Sequence, residues 1–235
     1  MYHRVWVILL AIGISGCATQ GVSIHQYNEP QQLKVENEVV IAKGQSDSWD
    51  TLVKQLSKSF YVINNIDKAS RIINVSFSSN SPGDYIDCGK AHRTYAQGEK
   101  NEVYDYDTAN PSRYRAATPR RPNRNFAYYI NVNRETGLEG RSNIYVAPEE
   151  KNPNNTVVTV NTRYIWSVKA RGVVVVENSG GTIINSQILP EQTYTVTFNT
   201  GQSGYYTENT GERVTCVSKG TLERQILNMV TSGAN

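Results

Sequence analysis

Apolar residues along most of this chain recur with period two, the spacing of half-buried strands. Val35 to Ala42 predicts an early strand centred on Val39-Val40-Ile41, which Gly44 and Gln45 break. Ser46 or Asp47 then fits a helix N-cap, and Asp47 and Asp50 suit the positive end of the helix dipole. Trp49, Leu52, Val53, Leu56 and Phe60 follow at i, i+3, i+4, i+7 and i+11, which is one apolar stripe of a three-turn helix. Phe60 to Ile63 predicts the next strand, and Asn64 to Lys68 is turn chemistry. Arg71 to Ser78 alternates again, with Ile73, Val75 and Phe77 on one face.

From about 90 to 125 the pattern dissolves. The first half of this stretch carries Glu99, Glu102, Asp105 and Asp107; the second carries Arg113, Arg115, Arg120, Arg121 and Arg124. A structureless loop of this length is either functional or disordered, and the expectation is a long disordered loop. Strand signals then return at Phe126–Val132, Arg141–Val146 and Val157–Val168, the last with Val158, Val160, Thr162, Tyr164, Trp166 and Val168 on one side. They continue at Val173–Val176, Thr182–Leu189, Tyr194–Phe198 and Arg213–Val217. Gly220-Thr221 opens a final helix whose stripe is Leu222, Ile226, Leu227 and Val230. The expected fold class is α+β: a mostly antiparallel β-sheet with one helix in the N-terminal half and one C-terminal helix packed on it.

Composition sharpens this picture. Fifteen Tyr against four Phe point to many half-wet aromatic positions, as in sheets with one solvated face. The formal net charge of +3 is too small to argue for nucleic acid, and no such partner is expected. The ordinary Gly and Pro content excludes collagen-like and wholly disordered classes.

His3 and Arg4 precede an apolar run, Val5 to Ile14. It is too short for a spanning helix, which needs about 20 residues, and it fits the apolar region of an export signal. Ile14-Ser15-Gly16-Cys17 follows, and it resembles the bacterial lipobox. In that family the cysteine is acylated and becomes the first residue after the signal is removed. The resemblance implies a signal at 1–16, a lipid on Cys17 and a membrane partner through that anchor. Ala18, compared with the sorting rules of enteric bacteria, suggests the outer membrane, with the body in the periplasm. Residues 17–34 are polar and aperiodic and are expected to be a flexible tether, with an ordered first strand near Val22–Ile24 as the alternative. The remainder, 35–235, is expected to be one domain.

Two cysteines remain, Cys88 and Cys216, and in an oxidising periplasm such a pair most often bonds. The alternative is two buried thiols. Neither has Cys or His companions at metal-ligand spacing, so no metal is expected.

The stretch from Trp49 through Leu52, Leu56 and Phe60-Tyr61-Val62-Ile63 to Ile72-Ile73-Asn74-Val75 resembles the repeated domain of the BamC lipoprotein, an accessory of the outer-membrane β-barrel assembly machine. In that family a helix beginning with Trp packs on a small antiparallel sheet. The resemblance covers residues 38–78 and carries no catalytic residue, so it implies kinship of fold and not membership in that machine.

Catalytic signals are sparse. A Ser–His–Asp triad would have to use His25 or His92, and Ser203 lacks the spacing of a nucleophile elbow. Cys88 with His92 would make a Cys–His pair only if Cys88 were free. Asp105 and Asp107 are spaced like the start of a calcium loop that lacks its Gly and its closing Glu. No cofactor and no catalytic residue are expected. Three functions fit: a protein-interaction or scaffolding module of the cell envelope, an envelope-tethered hydrolase, or a binder of anionic glycolipid through Arg113 to Arg124.

Overall fold

The computed structural model describes residues 20–118 and 126–232. Its strands are β1 (Val22–Asn28), β2 (Glu38–Ile41), β3 (Val62–Asp67), β4 (Ile72–Ser79), β5 (Ile86–Asp87), β6 (Lys90–Gln97) and β7 (Lys100–Asp107). They continue as β8 (Ser112–Ala117), β9 (Phe126–Pro148), β10 (Thr156–Asn178), β11 (Ile183–Ile188), β12 (Gln192–Asn199), β13 (Ser203–Thr207) and β14 (Arg213–Ser218). Two α-helices, α1 (Gln45–Leu56) and α2 (Thr221–Thr231), complete the α+β fold.

The spine is the β9–β10 hairpin, two strands of 23 residues paired without interruption from Thr156↔Pro148 to Asn178↔Phe126. Sequence pattern predicts two separate strands in each half; the structure joins them. Gly137, Gly140 and Gly172 lie within the ladder, where alternation continues on both sides of each. Gly140 has a specific reason: the Phe77 ring from β4 lies across it, 1.9 Å from where a Cβ would stand. Short strands flank the spine in tandem. β8 and then β4 pair with β9, while β2, β12 and β11 share the outer edge of β10. β3 continues the sheet beyond β4.

Side-chain alternation divides the faces. Leu138, Ile144, Val146, Val158, Val160, Tyr164 and Trp166 are buried with Ile73, Val75 and Phe77, as the period-two pattern predicts. Both helices cover this face with Trp49, Leu52, Leu56, Leu222, Ile226 and Leu227. Each fully buried side chain of this kind contributes roughly 1.5–3 kcal/mol. The opposite face is polar. Asn143 lies between Asn74, whose Nδ2 donates to its Oδ1 at 2.6 Å, and Asn161.

Several expectations need correction. α1 starts at Gln45 with Gly44 as an N-cap that lacks a side-chain hydrogen bond, ahead of the Ser46 or Asp47 start. The helix stops at Leu56, where the Ser59 hydroxyl takes over the Leu56 carbonyl at 2.7 Å, so Phe60 leaves the stripe and is exposed. Asn64 to Asp67 belong to β3, so the turn comes later, around Arg71 at φ 60°. β13 was not foreseen; it runs between turns at Gly201 and Gly211, both at positive φ.

The larger corrections concern the expected tether and loop. Residues 22–28 are β1, the ordered alternative, and 90–117 are three strands instead of a disordered loop. β1, β6 and β7 form a small antiparallel sheet of their own. Its inward positions are His25, Tyr27, Arg93, Tyr95, Tyr104 and Tyr106. Alternation is present, yet a hydrophobicity pattern passes over it because its inward side is tyrosine, arginine and histidine. β5 and β13 flank β14 in a third sheet.

The Cys88–Cys216 disulfide closes, with both residues fully buried. It ties the start of the small-sheet segment to β14. Cys17 lies outside the described residues.

Candidate functional site

The small sheet meets the spine through a layer of tyrosine and arginine. The Arg93 guanidinium stands 4.4 Å over the Tyr114 ring, and its Nε donates to the Tyr106 hydroxyl at 2.8 Å. Tyr106 stacks on Tyr114 with centroids 5.9 Å apart. Arg115 lies 4.2 Å from the Tyr129 centroid. Arg134, almost wholly buried, is satisfied by the Thr108 carbonyl and the Ser112 hydroxyl, both at 3.1 Å. Each cation–π contact contributes roughly 0.5–2 kcal/mol, more where water is excluded. The layer therefore packs β8 against β7.

That packing shapes a cleft of about 550 Å³ on the outer face of the large sheet. Glu102 and Tyr104 of β7 form one wall, Arg113 and Arg115 of β8 the floor, and Arg171 of β10 the far side. Register builds the floor in two rows: Arg113 opposite Asn133 opposite Arg171, and Arg115 opposite Asn131 opposite Val173. Arg115 pairs with Glu102 at 2.6 Å. Arg171 pairs with Glu191 at 2.5 Å and approaches Glu135 at 3.8 Å. Arg113 donates from Nε to Asn133 Oδ1 at 3.0 Å, and among the described residues it makes no ion pair. Its exposed guanidinium is the group in this cleft with charge to spare.

Of the five arginines singled out by sequence, Arg113 and Arg115 stand together here, while Arg120, Arg121 and Arg124 lie outside the described residues. Arg171 was missed. It is 58 residues from Arg113 along the chain, and only the β8–β9–β10 register brings the two together.

The histidines occupy two different settings. His92 pairs with Asp105 at 2.7 Å on the surface. His25 contacts Glu212 at 2.6 Å between the small sheet and the β13–β14 hairpin. Burial, with the charges of Arg93 and Arg134, lowers His25 to about 4, and burial with nearby Glu208 raises Glu212. A neutral imidazole therefore donates from Nδ1 to the carboxylate at neutral pH. Its Nε2 is buried without a hydrogen-bond partner among the described residues. Cys88 is committed to the disulfide, which removes the Cys88–His92 pair as a nucleophile. Among the described residues no group of three His, Cys, Asp or Glu is placed to hold a metal ion. No helix there is long and apolar enough to cross a membrane.

No protein-family model matches the chain, and neither a curated protein nor a solved structure matches it.

Proposed function

We propose that the chain is an outer-membrane-anchored periplasmic lipoprotein that serves as a protein-interaction module of the cell envelope. In this account the arginine cleft receives an acidic segment of the partner. The lipobox at Ile14–Cys17 supports the anchor. The single observation that carries the docking site is the Arg113 guanidinium, which enters the cleft without a carboxylate of its own among the described residues. An arginine fork binds a carboxylate through two parallel hydrogen bonds, so the chemistry of the pocket selects an anion. Tyr104 supplies aromatic surface of the kind enriched at interface centres.

A photo-crosslinking residue in place of Tyr104, used in intact cells, tests this directly. The expected product is a discrete adduct with an envelope protein. Arg113→Gln is expected to weaken that capture about 10- to 100-fold, since a hydrogen bond to a charged group contributes about 1.5–3 kcal/mol. An adduct unaffected by Arg113→Gln contradicts the site. The phosphate of an anionic glycolipid would suit the same guanidinium, and Arg113-dependent labelling of lipopolysaccharide in place of protein would replace the protein partner with that ligand.

A further inference from the structure

The small sheet has a second face, turned away from the body. Register places Val22 beside Ala96 and Asn101, and Ile24 beside Thr94 and Val103. Val22, Ile24 and Val103 are 58%, 54% and 56% exposed, so three branched aliphatic side chains stand on one open surface. These six positions carry no charge. Lys90, His92, Asp105 and Asp107 occupy the opposite end of the same face. Beyond the apolar end, Lys100 at the start of β7 pairs with Glu177 at 2.6 Å, while Glu99 in the turn is exposed. Apolar and charged halves are thus segregated along the strands.

The apolar half is also the half where the chain enters. Gly21 packs against the Tyr95 ring and Ala117, and the Ser23 hydroxyl accepts from the Ala117 N–H at 2.7 Å. These contacts fix the start of β1 in the body. Val22 is five positions after Cys17, a span of at most about 17 Å when fully extended. An acylated Cys17 sits at the glycerol level of the leaflet, and the polar zone above the hydrocarbon is roughly 5–8 Å deep on each side. The tether therefore keeps this end of the sheet within about 10 Å of the lipid surface, close enough for the sheet to rest on it. The inner face of β1 is not available, because His25 and Tyr27 are packed against the β13–β14 hairpin. The open apolar face remains.

We propose that this face, Val22, Ile24, Ala96 and Val103, rests on the lipid surface beside the anchor, as a second membrane contact that fixes the body's orientation. The proposal rests on the lipoprotein reading above, since the distance to the membrane is set by Cys17. Its consequence is that β7, which presents Val103 outward, presents Glu102 and Tyr104 to the cleft from its other face. The contact thus sets the height and direction of the cleft relative to the membrane.

The lipidated full-length protein, reconstituted in phosphatidylethanolamine–phosphatidylglycerol vesicles, provides the test. With Cys88 and Cys216 bonded and Cys17 acylated, an introduced cysteine is the free thiol. Ile24→Cys, Val103→Cys and, as a control on the polar face, Asn143→Cys are labelled with an environment-sensitive fluorophore. All three positions are exposed strand sites, so labelling leaves the fold intact. Probes at 24 and 103 are expected to shift to the blue and to be quenched by lipids brominated in the acyl chain, while the probe at 143 does neither. If the protein floats with the vesicles and the probes at 24 and 103 behave like the one at 143, the contact is overturned while the anchor stands. If the wild-type chain carries no acyl group and does not float, the lipoprotein reading fails first and the contact falls with it.

Discussion

Replacing Cys88 and Cys216 together with alanine is expected to lower the unfolding free energy by about 5 kcal/mol. The two cysteines are 128 residues apart, and closing a loop of that length removes much of the unfolded chain's conformational freedom. Domains of this size are stable by about 5–15 kcal/mol, so the loss takes a large share of the total. The position of the bond makes the effect global. It joins the residue just after β5 to the middle strand of the β13–β14–β5 sheet, and the β1–β6–β7 sheet sits against that same region. Urea unfolding of the oxidised wild type and of the double variant gives the difference directly. A change below about 1 kcal/mol would show that the closed loop contributes little to the constraint of the unfolded chain.

The second large effect is expected at Glu223. This carboxylate, in the first turn of α2, is fully buried. The Tyr164 hydroxyl lies 2.8 Å from one of its oxygens and 3.0 Å from the other, and the Thr200 hydroxyl donates to it at 2.7 Å. The Ser218 hydroxyl in turn donates to Tyr164 at 3.3 Å. Burial, followed by the charge of Glu223, pushes the Tyr164 phenol far above its ordinary range, so Tyr164 remains a donor at every physiological pH. The helix dipole adds to the stability of a negative group at this end. Glu223→Ala leaves the buried Tyr164 hydroxyl without its acceptor, removes one of the two acceptors of the Thr200 hydroxyl and opens a cavity, at an expected cost of about 3–5 kcal/mol. Glu223→Gln keeps an acceptor oxygen in place and should cost less than half as much. Thermal and urea unfolding of the two variants check both the size and the order; Glu223→Gln as damaging as Glu223→Ala would mean that the hydrogen bonds do not hold the network.

Legibility in the sequence followed chemistry. Val158, Val160, Tyr164 and Trp166 announced their face because aliphatic and aromatic side chains alternate with polar ones. Leu222, Ile226, Leu227 and Val230 marked the buried side of α2 in the same way. The β6–β8 region was hidden for the opposite reason. Its inward side chains, Arg93, Tyr95, Tyr104, Tyr106 and Tyr114, bury their stems and rings while remaining polar at the tip, so a hydrophobic count scores them as surface. What makes them inward-facing is the company of one another, which no single strand reveals. The cleft needed still more. Arg113 and Arg115 were visible as part of a basic run, but Arg171 reaches them through Asn133, and that alignment belongs to the register of three strands. Nothing in the sequence around Glu223 marks it as buried; its burial arises from the approach of Tyr164 and Thr200 from elsewhere in the fold.

The proposed anchor at Cys17 would set the compartment in which the disulfide forms and the surface near which the cleft works. Mass spectrometry of the N-terminal peptide, from protein extracted out of bacterial membranes, measures it most directly. The account predicts a chain that begins at Cys17, with a diacylglyceryl group on its sulfur and a further acyl chain on its new amino terminus. A mature chain that begins at another residue, or that carries Cys17 with a bare thiol, would contradict it.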